Sequence, residues 1–236
     1  MSIKNILYDL DGTLLPMDQN EFTKKYFSLI AAQAAGRGYD AEAVAGHIWA
    51  GVKAMVLNNG KRFNVDAFWD VFMKFYPDRV FAEEKAFFDD FYANEFEGTK
   101  EVCGYDPMAA KTIKAAREMG FDQYLATNPI FPRTATLRRI SWAGLSAEDF
   151  KYISVYENST FCKPNPMYFS EFLEKNGLCA QECLMVGNDM DEDTPAADLG
   201  MKVFILTDCL INKSGRDISA FPNGSFDALM EYIGKL

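Results

Sequence analysis

Five short apolar runs punctuate the chain: Ile3–Leu7, Gln123–Ala126, Tyr152–Val155, Cys183–Val186 and Lys202–Leu206. Each ends in polar or small residues, and stretches with helical periodicity separate them. Strands that alternate with helices predict an α/β fold built on a doubly wound parallel sheet. Two helices carry clear terminal signals. One opens with Asp106 as N-cap and Pro107 in first position, and Gly120 stops it. A second is expected to open at Pro164, run to Asn176 and end at Gly177.

One interval breaks this rhythm. Between residue 17 and about residue 100 only helical pattern appears. Helices are expected around Glu21–Ala35 and Ala41–Leu57. Val65, Phe68, Trp69, Phe72, Phe75 and Tyr76 follow i, i+3, i+4, i+7 spacing, as do Phe87, Phe88, Phe91 and Tyr92. These aromatic stripes read as packing faces. The result is an all-helical insert, residues 17–99, placed between the first and second strands of a core made of residues 1–16 and 100–236.

Composition excludes several function classes. The longest uncharged run, Tyr26–Gly36, has 11 residues, whereas a membrane-spanning helix needs about 20 apolar ones. The N-terminus Met1-Ser2-Ile3-Lys4-Asn5 lacks the apolar stretch and small-residue cleavage site of a signal peptide. Lys plus Arg number 24 against 34 Asp plus Glu, a formal charge of -10, which disfavours a partner held through nucleic-acid phosphates. Five scattered cysteines form no disulfide framework. Cys179 and Cys183 have helical spacing but no His or Cys partners at zinc-ligand intervals. The expectation is a soluble, cytoplasmic, reduced protein without nucleic-acid or membrane partners.

Ligands in open parallel sheets bind beyond the carboxyl ends of the strands, so the residues there are the candidates. The first strand runs into Asp9-Leu10-Asp11-Gly12-Thr13. In extended backbone residues i and i+2 point the same way, so both aspartates can face one site. Two carboxylates that close suit a divalent metal, or a nucleophile paired with an acid/base, and Gly12 lets the backbone turn away. Taken alone, Asp-x-Asp also fits a solvated turn. The Gln123–Ala126 run leads into Thr127-Asn128-Pro129, a phosphate-holding junction or an ordinary cap. After Tyr152–Val155 comes Lys163, a surface lysine or a cation that offsets an anionic substrate. The Cys183–Val186 run leads into Gly187-Asn188-Asp189-Met190-Asp191-Glu192-Asp193. Four acids in five residues suit Mg²⁺, or complement a helix dipole.

Together these segments, in this order, resemble the four motifs of the haloacid dehalogenase superfamily. The resemblance spans residues 1–16 and 100–236, and the helical insert lies where that superfamily places a helical C1-type cap. It points to the phosphoglycolate phosphatase and β-phosphoglucomutase-like branch. What it implies is a Rossmann-like core and Mg²⁺-dependent phosphoryl transfer through an aspartyl-phosphate. Asp9 would be the nucleophile and Asp11 the acid/base. Lys163 would complete the catalytic set, and Thr127, Asn128 and Gly12 would contact the substrate. Asp9, Asp11 (through its carbonyl), Asp189 and Asp193 would serve the metal. Many relatives have Gly-Asp where Asn188 intervenes here, so Asp191 and Glu192 stand as substitutes for Asp193.

The resemblance therefore implies a phosphatase for a small phosphorylated metabolite, as monomer or homodimer. The dehalogenases share the layout but lack an aspartate at the position of Asp11. A β-phosphoglucomutase-like sugar-phosphate mutase is the nearest rival. Those enzymes carry a cap histidine about a dozen residues after the nucleophile, near Glu21 here, whereas the single histidine is His47. A non-catalytic phospho-ligand binding or regulatory protein on the same fold is the alternative from another class. Lys24, Lys25, Lys61 and Arg62 are the cap cations available to an anionic leaving group.

Overall fold

The computed structural model describes residues 2–236, so Met1 of the N-terminal segment lies outside them. Strands β1 (Asn5–Tyr8), β2 (Asp122–Leu125), β3 (Cys183–Gly187), β4 (Lys202–Leu206) and β5 (Asn223–Gly224) form one sheet. Its order is β2-β1-β3-β4-β5 and every pairing is parallel. Alternate residues fill two cores, one on each face. Ile6, Tyr8, Leu184 and Val186 point to the first, while Leu7, Met185, Val203 and Ile205 point to the second. Helices α5 (Pro107–Glu118) and α8 (Phe226–Ile233) cover the first face, and α7 (Pro166–Asn176) covers the second.

Between β1 and α5 the chain forms α1 (Gln19–Ala35), α2 (Ala43–Val56), α3 (Asn64–Phe72) and α4 (Phe81–Ala93). It leaves and re-enters the sheet region side by side, with Met17 bridged antiparallel to Cys103. The helical stripes bury as their periodicity requires: Phe68 and Phe72 stack at 5.6 Å, and Phe88 meets Phe72 edge-on at 5.2 Å. The insert's apolar cluster is continuous with the first sheet core. Phe96 stacks on Trp142 of α6 (Arg133–Trp142) at 5.5 Å.

Three expectations are corrected. Tyr152–Val155 is not a strand of the sheet: only Ile153 bridges to Leu125, beside the β2 edge. The Asn158 side chain takes the N–H of Val155 and donates to the carbonyl of Ile153, which turns the backbone away after one bridge. The fifth strand is instead Asn223–Gly224, at the other edge, too short and polar to show a period. Pro164 does not open a helix. Asn165 caps α7 through the N–H of Met167, and Pro166 takes first position. A residue before proline avoids helical backbone, so a helix cannot run through Asn165 from Pro164. Finally, the stripe Val65–Tyr76 is helical as α3 only to Phe72 and continues as a 3-10 turn over Met73–Phe75.

Candidate active site

The chain crosses from β1 to β2 on one side and later to β3 on the other, so the strand order reverses at β1. A crevice at the carboxyl end of the strands follows from that reversal. Asp9 sits in it: its N–H donates to Val186 on β3, while Tyr8 accepts from Ala126 beyond β2. Asp9, Asp11, Thr127, Asn128, Asp189 and Asp193 all line one cavity of about 200 Å³. Residues separated by up to 184 positions thus meet because parallel strands end at one edge.

Lys163 is fully buried. Its Nζ donates to Asp9 Oδ1 at 3.0 Å and to Asp193 Oδ1 at 2.6 Å. Burial opposes its charge, but Asp193 and Asp9 outweigh that and hold its pKa above the lysine range. Burial also pushes the Asp9 carboxyl up to about 7. Lys163 acts against this shift, while Asp193 and Asp11 add to it. Thr13 Oγ1 lies 3.3 Å from Asp9 Oδ2 and 2.9 Å from Asn188 Oδ1, and its one proton serves either oxygen. The Thr127 carbonyl is fixed by the hydroxyls of Ser154 at 2.7 Å and Tyr168 at 2.9 Å. Asn128 Nδ2 donates to Glu192 Oε2 at 3.0 Å.

Gly12 turns the chain with φ +84, and a Cβ there would stand 2.3 Å from Asn188 Nδ2. Its N–H is committed to the Leu15 carbonyl, so its contribution here is the turn that the pattern anticipated. Beyond β3, Asp189 Oδ1 accepts the N–H groups of Asp191 and Glu192 at 2.7 and 3.1 Å. Asp193 has both oxygens committed, one to Lys163 and one to the Asp189 N–H at 3.0 Å. It therefore braces the lysine and the Asp189 turn. Of its two substitutes, Asp191 faces Ser214 and Arg216 away from the cavity, whereas Glu192 lines it. Burial pushes the Glu192 carboxyl up to about 8.

A divalent cation fits this donor set. Asp9, Asp11, Asp189 and Glu192 present hard oxygens to one cavity, and Asp11 Oδ1 is buried with no hydrogen-bond partner. Burial also raises the Asp189 carboxyl above its ordinary value. Among the described residues no three His, Cys, Asp or Glu side chains form a ready-made cage. Mg²⁺ matches that arrangement, because it takes one or two carboxylates and keeps waters.

Two contacts escaped the sequence reading. Arg139 on α6 is fully buried, and its Nη1 pairs with Asp11 Oδ2. Its guanidinium lies 4.5 Å from the Phe131 ring centroid. In sequence it is one of two adjacent arginines on a helix, with no local mark of its partner 128 positions away. Gly187 holds the second: a Cβ there would lie 1.9 Å from Asp193 Oδ2, so only glycine admits that carboxylate. Its place directly before Asn188 was the available signal. Of the cap cations, Lys24 pairs with Glu21, Lys25 with Glu101 and Arg62 with Asp70, and neither these nor Lys61 line the cavity. His47 is bonded to the Tyr76 hydroxyl at 2.8 Å and stacked on Phe75, also outside the cavity.

Residues 3–199 match the family described as haloacid dehalogenase-like hydrolase. The chain belongs to that family. Within the haloacid dehalogenase-like hydrolases, a phosphoglycolate phosphatase of Vibrio parahaemolyticus is 27% identical over 214 residues, covering 87% of this chain and 84% of the relative. A 2-haloacid dehalogenase of Pseudomonas syringae pv. Tomato superposes with TM-score 0.62 at 19% identity over 99% of both chains. A haloacid dehalogenase-type phosphatase of Thermococcus onnurineus gives TM-score 0.59 at 18% identity over 98% of both. These likenesses establish the shared fold. The fold itself accommodates both chemistries, which leaves the choice between them to the site residues.

Proposed function

We propose that this hydrolase is a Mg²⁺-dependent phosphatase for a small phosphorylated metabolite, acting through an aspartyl-phosphate on Asp9. One observation carries the reading. Asp11 lines the same cavity as Asp9 and is held by a buried arginine, so a second carboxylate is positioned for proton transfer. A dehalogenase has no use for that acid, and the curated relatives are named phosphoglycolate phosphatases.

In the proposed sequence an Asp9 oxygen attacks phosphorus and the bond to the leaving oxygen breaks. Asp11 gives that oxygen its proton. Water then attacks phosphorus, Asp11 takes a proton from it, and the bond to Asp9 breaks to release inorganic phosphate. Lys163 and Thr127 hold phosphoryl oxygens, with Asn128 beside them, and Asp193 positions Lys163. Asp9, Asp189 and the Asp11 carbonyl would hold Mg²⁺, which screens the approach of one anion to another. We assign residues 17–99 as the cap that selects the leaving group and residues 1–16 and 100–236 as the catalytic core. The antiparallel Met17–Cys103 bridge supports that division. The mutase reading is weakened, since His47 is committed to Tyr76 outside the cavity.

The test is phosphate release from a panel of phosphate monoesters with Mg²⁺, with EDTA, and with Asp9→Asn. Release that needs both Mg²⁺ and Asp9 is expected, with an unchanged circular dichroism spectrum for the variant. Full activity in Asp9→Asn would remove the nucleophile from the scheme.

A further inference from the structure

The cap side of the cavity differs in chemistry from its floor. The floor is acidic, whereas the cap side is mostly apolar: Phe22, Phe27, Trp49, Phe68, Trp69 and Phe88 line it with Ile48 and Val52 between them, and Gln19 and Thr23 are its uncharged polar residues. Its two buried phenols, Tyr26 and Tyr92, pair their hydroxyls with each other at 2.9 Å. Among the described residues, no Lys, Arg or His lines the cavity. The nearest buried cations are already engaged, Lys163 by Asp9 and Asp193 and Arg139 by Asp11. Five carboxylates, those of Asp9, Asp11, Asp189, Glu192 and Asp193, face the same space.

A leaving group with its own carboxylate, such as glycolate, would bring that charge against a cap wall that offers no Lys, Arg or His to pair with it. A polyhydroxylated sugar would find only Gln19 and Thr23 as polar cap partners, and would lay its other hydroxyls against aromatic faces and lose their water. An apolar, ring-sized alcohol meets neither penalty and gains burial and ring contacts.

We infer that the substrate class is a phosphate monoester of an uncharged, apolar, aromatic-sized alcohol, set by the cap aromatics. This rests on the phosphatase reading and narrows it away from phosphoglycolate, the substrate in the curated relatives' names.

The experiment compares 2-phenylethyl phosphate, 2-hydroxyethyl phosphate and phosphoglycolate, all esters of alkyl alcohols, so no phenolate leaving group biases the chemical step. With Mg²⁺, kcat/KM for 2-phenylethyl phosphate is expected to exceed each of the others about tenfold or more, the scale on which apolar pockets discriminate. In Val52→Lys, which places a cation on the half-buried cap wall, the ratio should move toward phosphoglycolate. Titration of the three esters into Asp9→Asn reads the same preference as Kd without turnover. Asp9-dependent release that favours phosphoglycolate overturns the substrate class and leaves the phosphatase reading standing. Absence of release from all three and from the wider monoester panel overturns the phosphatase reading. In that case Kd values still decide the cavity's ligand: tighter 2-phenylethyl phosphate supports the apolar class, and tighter phosphoglycolate refutes it.

Discussion

The Arg139–Asp11 pair offers the sharpest check on how the proposed acid/base is held. Arg139→Met keeps an apolar stem to pack over Phe131 but removes the guanidinium from a fully buried position. Removing one partner of a buried ion pair costs about 3–5 kcal/mol, because the other charge is left uncompensated. The Asp11 side chain is 22% exposed, so water in the cavity recovers part of that. A loss of about 2–3 kcal/mol is therefore expected, below the range for a fully buried pair. Urea unfolding followed by circular dichroism, at constant m-value, measures it. The same change in an Asp11→Asn background should cost less, with a coupling of at least about 1 kcal/mol between the two sites. Turnover should fall as well, by up to the roughly 10²–10⁴-fold that a positioned acid/base contributes. A cost below about 0.5 kcal/mol, or additivity within that margin, would refute the pairing as an organising contact.

Two further changes probe the acidic segment after β3. Gly187→Ala forces a methyl group into the Asp193 carboxylate and should cost about 1–3 kcal/mol, with loss of phosphate release as Lys163 is displaced. An unchanged urea midpoint would show that Asp193 is not seated where this account needs it. Asp189→Asn should abolish Mg²⁺-dependent release, whereas Asp191→Asn should leave it within about twofold, since Asp191 faces Ser214 and Arg216. Equal losses in the two variants would contradict that division of roles.

The contrast between these residues shows what is local and what is not. Asp9, Asp11, Thr127 and Asp189 were legible because each follows an apolar run, and parallel strands deliver their ends to one edge. The helical insert was legible from spacing alone, since a period of 3.6 needs no partner to be seen. The single bridge at Ile153 and the start of α7 at Pro166 turned on side-chain capping by Asn158 and Asn165, which periodicity does not report.

By itself the sequence determined the α/β class, the place of the insert and the acids at the strand ends. Each of these depends on neighbours within one element. Only the tertiary structure decided that Arg139 braces Asp11, that Asp193 is spent on Lys163, and that packing aromatics of the cap also wall the cavity. Those outcomes depend on which faces meet across the sheet and the insert. A side chain's period marks its helix face, and the surface packed against that face determines whether it is core, brace or binding wall.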